Sequence, residues 1–128
     1  MNVSESDPNP PLLAHERLDV WRVAVALDQA VVAIAAQAPR GLAWVTDQGS
    51  RAAGSAVLNL AEAMGREGAD RARMLRIARG SALEVDAALT LLTHRKACGP
   101  AARSEARVLI GRLVAMLTRL AAVASGRP

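Results

Sequence analysis

Phenylalanine and tyrosine are absent from this 128-residue chain, and Trp21 and Trp44 are its two tryptophans. That scarcity leaves little from which to build the aromatic platforms on which RNA-reading modules normally stack unpaired bases. It also argues against a sheet built on aromatic and β-branched alternation. Cysteine occurs once, at Cys98, so no intramolecular disulfide can form, and a lone thiol fits a reducing compartment. Long apolar runs are missing as well: charges interrupt every stretch before the roughly 18 apolar residues of a membrane span. The first residues, "MNVSESDPNPPLLA", have neither a basic start nor an apolar h-region and read as a disordered lead-in to a soluble, cytoplasmic protein.

What remains is alanine, leucine, valine, isoleucine and methionine, within a hydrophobic content of 52%. In one domain of this length that content supplies a core, and its materials are those of helices. Apolar periodicity predicts four: Ala14–Ala38, Val45–Gly65, Ala69–Ala97 and Ala101–Ser125, separated by "APRGLAW", "GREGAD" and "ACGPAA". Short connections between long helices make neighbours antiparallel. The expected fold is all-α, an up-down-up-down antiparallel four-helix bundle over residues 14–125, with a lead-in at 1–13 and a tail at 126–128.

The outer helices carry more apolar surface than a single seam. In the first, Val20, Ala24, Leu27, Val31, Ile34 and Ala38 make one seam and Leu18, Trp21, Val25, Val32 and Ala35 a second. In the fourth, Leu109, Leu113, Met116, Leu120 and Val123 run beside Ile110, Val114, Leu117, Ala121 and Ala124. Two seams per helix predict a subunit interface and hence a homo-oligomer.

Charge is uneven. Net charge is −3 over residues 1–50, +1 over 51–86 and +6 over 87–128. The basic end is nearly all arginine, which suits bidentate phosphate or carboxylate contacts. Arg95, Lys96, Arg103, Arg107, Arg112 and Arg119 are the first candidates for nucleic-acid contact, with Arg71, Arg73 and Arg76 second. The competing reading is arginine enrichment at solvated positions. With so few aromatics, any RNA contact is expected to run through backbone and shape, and Trp21, within an apolar seam, belongs to the core.

A polar stripe crosses the second helix. Arg51, Ser55, Asn59, Glu62 and Arg66 recur at steps of four, four, three and four, and Arg79, Ser81, Glu84 and Asp86 interrupt the third helix opposite. Three readings stand: a buried network that fixes helix register, a patch facing a ligand or partner, or a solvated face.

These residues also carry a resemblance. "LDVWRVAVAL" (18–27), "GL" (41–42), "RAAGSAVLNLAEAMGR" (51–66) and "IARGSALEVDAAL" (77–89) resemble, in order and spacing, the bacterial family of four-helix proteins encoded in intervening sequences of 23S ribosomal RNA genes. Leu18, Asp19, Val20 and Trp21 match its Leu-acidic-Val-Trp start. Arg51, Ser55, Asn59, Ala61, Glu62, Gly65 and Arg66 match its second-helix signature, and Ala78, Arg79, Gly80, Ser81 and Glu84 its third. The chain departs at Val57, where the family usually has proline, at Ala63, where it has glycine, and in lacking phenylalanine and tyrosine. The resemblance implies a ring-like homo-oligomer, a pentamer, and association with RNA. A more distant similarity, to the accessory protein of diversity-generating retroelements, implies nucleic-acid binding beside a reverse transcriptase.

Enzymatic chemistry finds no foothold. Di-iron bundles need Glu-x-x-His pairs, and neither His15 nor His94 follows a glutamate at that spacing. His94 and Cys98 are two ligands where structural zinc wants four. "GREGAD" lacks the Lys-Ser/Thr ending of a phosphate-binding loop. The expectation is a non-enzyme with no cofactor and no metal, binding RNA or other nucleic acid through its arginines, or alternatively serving as an adaptor for a protein partner.

Overall fold

The computed structural model describes residues 13–126. Within them lie four α-helices, α1 (Asp19–Gln37), α2 (Ala43–Met64), α3 (Gly68–His94) and α4 (Pro100–Ala124), and two 3-10 turns, Ala14–Arg17 and Arg40–Leu42. Apart from Leu13 and Gly126, the expected lead-in over 1–13 and the tail over 126–128 fall outside the described residues. Each helix packs on the next, and α1 closes the bundle against α4. Pairings fix the direction: Arg76, Arg79 and Asp86 of α3 meet Ser125, Thr118 and Arg103 respectively, so α3 and α4 run antiparallel.

Local chemistry sets the boundaries. Ala38 is extended at φ −78° and ψ 146°, as the residue before a proline must be, and α1 stops there. Pro100 occupies the first turn of α4, where its missing N–H costs nothing. The first helix differs from expectation: residues 14–17 form a 3-10 turn, Leu18 is extended, and α1 begins at Asp19. Asp19 places its carboxylate in the first helical turn, where the helix dipole favours it, and pairs with Arg22 at 2.9 Å.

The end of α3 is unusual. The Lys96 N–H reaches the Thr93 carbonyl at 3.0 Å and the Ala97 N–H that of Leu92 at 2.8 Å, the double closure of a Schellman turn. That turn needs a left-handed residue, which is normally glycine. Here it is Lys96 at φ +59°, the one non-glycine with positive φ among the described residues, at a cost of roughly 1 kcal/mol.

Leu27, Leu60, Leu75, Leu89, Leu113 and Leu117 are fully buried, and burial of each contributes about 2 kcal/mol. Around them α2 and α3 approach through small residues. Ala52, Ala53, Ala56 and Ala63 of α2 and Ala78, Ala82 and Ala88 of α3 are buried, and a Cβ added to Gly49 would stand 3.3 Å from that of Ala88. Among the described residues no polar or charged side chain is buried.

The paired seams resolve into single broad stripes. On α4 the buried line is Ala106, Ile110, Leu113, Leu117 and Ala121, drawn from both expected seams, while Leu109, Val114, Met116 and Leu120 pack on its flanks. Trp21 of α1, and Leu18 just before it, flank the core in the same way. A bundle helix touches two neighbours, so much of a wide apolar arc is filled within one chain, while Val32 of α1 and Val123 of α4 stay outside it. What stays open is a groove of about 820 Å³ between α1 and α4, lined by residues such as Ala30, Ala33, Ala102, Val108 and Leu109. Val32, Val108 and Val123 are exposed on these two helices.

Candidate nucleic-acid interface

The polar stripe of α2 proves to be half-buried rather than buried. The Ser55 and Ser81 hydroxyls share a hydrogen bond of 3.0 Å across the α2–α3 seam, and the Asn59 amide donates to the Ser55 hydroxyl and carbonyl at 2.9 and 2.8 Å. Below it, Arg66 bridges Glu62 at 2.7 Å and Asp70 at 2.8 Å, tying the end of α2 to the start of α3. The hydrogen bond from Arg66 holds the Asp70 carboxyl below the ordinary aspartate range, and that same bond holds the Arg66 guanidinium above its own. Arg51 and Glu84 are exposed. Charges expected to face α2 from α3 turn the other way: Arg79 donates to Thr118 of α4, and Asp86 accepts from Arg103 and Arg107 of α4.

The nine candidate basic residues fall into distinct environments. Arg71 is spent inside the fold: its Nε donates to the Ala63 and Arg66 carbonyls at 3.1 and 2.6 Å, and Nη2 to that of Met64 at 3.4 Å. It therefore caps the carboxyl end of α2, whose last carbonyls have no helical partner. Arg103 is 17% exposed and Asp86 24%; they pair at 2.9 Å, and Arg103 also reaches Thr90. Arg107 touches the same carboxylate at 3.4 Å but stays largely in solvent. Arg73 pairs loosely with Asp70 at 3.6 Å. Arg76 meets a hydroxyl, that of Ser125, and pairs with no carboxylate among the described residues.

Arg112 and Arg119 stand exposed seven residues apart, hence on one face of α4. Neither has an acidic partner within 4 Å among the described residues. The single carboxylate of α4, Glu105, lies two turns away and lines the α1–α4 groove. Taken by halves, residues 19–64 carry three basic and four acidic side chains, and residues 68–124 ten and four. The positive charge thus gathers on the α3–α4 side.

The remaining two candidates sit at the end of the bundle where the α1–α2 and α3–α4 connections meet. Trp44, in the first turn of α2, is 55% exposed, and the Arg95 guanidinium carbon lies 5.3 Å from its ring centroid. Lys96 follows, exposed, in its left-handed position. The other tryptophan is used differently. Trp21 packs half-buried against the core, with His15 edge-on at 4.6 Å. Sequence periodicity points to Trp21 but not to the Trp44–Arg95 stack, whose partners are 51 positions apart. The Arg71 cap is equally invisible, although its place just after a Gly-Arg-Glu-Gly turn is where such a cap would stand.

Cys98 is buried, its thiol weakly donating to the Gly99 carbonyl at 3.8 Å. No group of three or more His, Cys, Asp or Glu residues that could hold a metal occurs among the described residues. No described helix is long and apolar enough to cross a membrane.

Four antiparallel helices closing on an alanine-rich core, with one strongly basic side, define a small basic four-helix protein. The chain belongs to the 23S rRNA-intervening sequence protein family, whose model matches residues 16–119. A search of curated proteins gives no match.

Proposed function

We propose that this protein is a non-enzymatic, homo-oligomeric RNA-binding bundle that engages phosphates through the α3–α4 side. The observation that carries the reading is the pair Arg112 and Arg119 on one face of α4, exposed and without carboxylate partners among the described residues, in the half of the bundle that also holds Arg76 and Arg107. Unpaired guanidiniums on one face attract a polyanion, and each phosphate they neutralise releases counterions. The family's name ties its members to 23S ribosomal RNA, which makes RNA the first polyanion to test. Self-association is supported by the apolar groove between α1 and α4 and by the exposed Val32 and Val108. Repetition of the basic face around a ring, a pentamer by family resemblance, would strengthen the field further.

The test is binding of a structured RNA followed by fluorescence anisotropy, with Arg112→Glu/Arg119→Glu compared with the unaltered protein. Both positions are exposed, so helicity by circular dichroism should be unchanged. The expected result is a loss of affinity of about tenfold or more. Equal affinity in the charge-reversed variant would overturn the assignment of the face. Failure of the unaltered protein to bind RNA at all would favour an adaptor whose groove takes a protein partner.

A further inference from the structure

We propose that Trp44, Arg95 and Lys96 form a site for an unpaired base and its phosphate in a single-stranded nucleic acid, at the end of the bundle where the two upper connections meet. The proposal rests on the RNA-binding reading and adds a second mode of contact to it. Three observations converge. First, the sole exposed tryptophan of a chain without phenylalanine or tyrosine stands here rather than in the core. An indole in water is costly to leave unused, and every nucleobase has a face that stacks on it.

Second, Arg95 lies over the ring at 5.3 Å, covering one side while more than half of the residue stays exposed. A guanidinium so placed keeps its charge beside the ring, where arginine can both lie against a π-face and reach a phosphate. No carboxylate lies within ion-pair distance of Arg95 or Lys96 among the described residues. The α2 helix begins beside them without a side-chain cap or an acidic residue in its first turn, which adds positive potential.

Third, Lys96 occupies a backbone conformation that glycine would fill without strain. A charged, long side chain held at such a position is explained by something the side chain does, and backbone strain concentrates where a ligand is bound. Arg40, exposed in the α1–α2 connection, adds a further positive charge at this end of the bundle.

The experiment measures anisotropy of two labelled RNAs of equal length, one unpaired and one fully duplexed, with the full chain and with Trp44→Ala, Arg95→Ala and Lys96→Gly. Indole fluorescence is followed in a Trp21→Phe background so that Trp44 alone reports. The expected outcome is quenching by the unpaired RNA, and a fall of about tenfold or more in affinity for it in Trp44→Ala with duplex affinity unchanged. Lys96→Gly should melt higher than the unaltered protein and bind the unpaired RNA more weakly, a combination that a merely structural lysine would not give. A DNA oligomer of the same sequence separates base stacking from recognition of the 2′-hydroxyl; binding of either strand supports the site. The proposal is overturned if Trp44→Ala and Arg95→Ala both keep their affinity for unpaired RNA while Arg112→Glu/Arg119→Glu loses it, an outcome that leaves the basic face standing. Absence of RNA binding in the unaltered protein would remove both.

Discussion

The two ends of the bundle carry similar basic residues and use them in opposite ways. At the α2–α3 turn, Arg66 and Arg71 are absorbed by the protein itself: one bridges Glu62 and Asp70, the other caps three backbone carbonyls. At the opposite end Arg95 and Lys96 have no carboxylate within ion-pair distance among the described residues, and Arg95 lies over an exposed indole. Guanidinium count is therefore a poor guide to a binding surface. What distinguishes an arginine that holds the fold from one available to a ligand is whether its five donors are already satisfied.

The contrast can be broken at its strongest point first. Arg71→Ala would strip the side-chain donor from the Met64 and Arg66 carbonyls and one of the donors from that of Ala63, and chemical denaturation should show a loss of about 2 kcal/mol. Arg95→Ala, at the other end, should cost below about 1 kcal/mol, since an exposed cation–π contact is worth no more than that. Equal losses at the two positions would erase the distinction. Next in size, Lys96→Gly should stabilise by about 1 kcal/mol, seen as a rise of a few degrees in melting temperature. A lower melting temperature would mean that the lysine side chain supports the turn.

The smallest effect concerns acid. Arg66 depresses the titration of Asp70, so the folded state prefers the ionised carboxylate more than the unfolded chain does. That contribution is complete above the ordinary aspartate range, roughly pH 4, and disappears as pH falls below it through the lowered folded value. Asp70→Asn should therefore flatten the decline of melting temperature on acidification, and both proteins should converge at the acid end. An unchanged acid limb would show that the bridge contributes nothing measurable, as exposed pairs often do.

Sequence periodicity made the helices legible to within a few residues at every boundary except the first, where Leu18 leaves the helical region and divides the expected helix. Long amphipathic stretches between Pro39, Gly65 and Pro100 leave few alternatives. The site was legible only in outline. Net charge located the basic half, yet nothing in the spacing separates Arg103, held by Asp86 and Thr90, from Arg112 in open solvent. That difference depends on the azimuth of each residue about α4 and on which neighbour faces it. How much of each doubled seam the bundle itself covers was hidden for the same reason: Leu113 and Leu117 are buried by flanking helices, while Val32 and Val123 stay exposed.

Binding of RNA phosphates by exposed arginines on the α3–α4 side makes the affinity of the unaltered protein for RNA depend on salt. Anisotropy titrations at about 50 and 200 mM salt should show affinity falling by orders of magnitude, with a linear logarithmic slope equal to several released counterions. A slope near zero, or no binding at the lower salt, would contradict it.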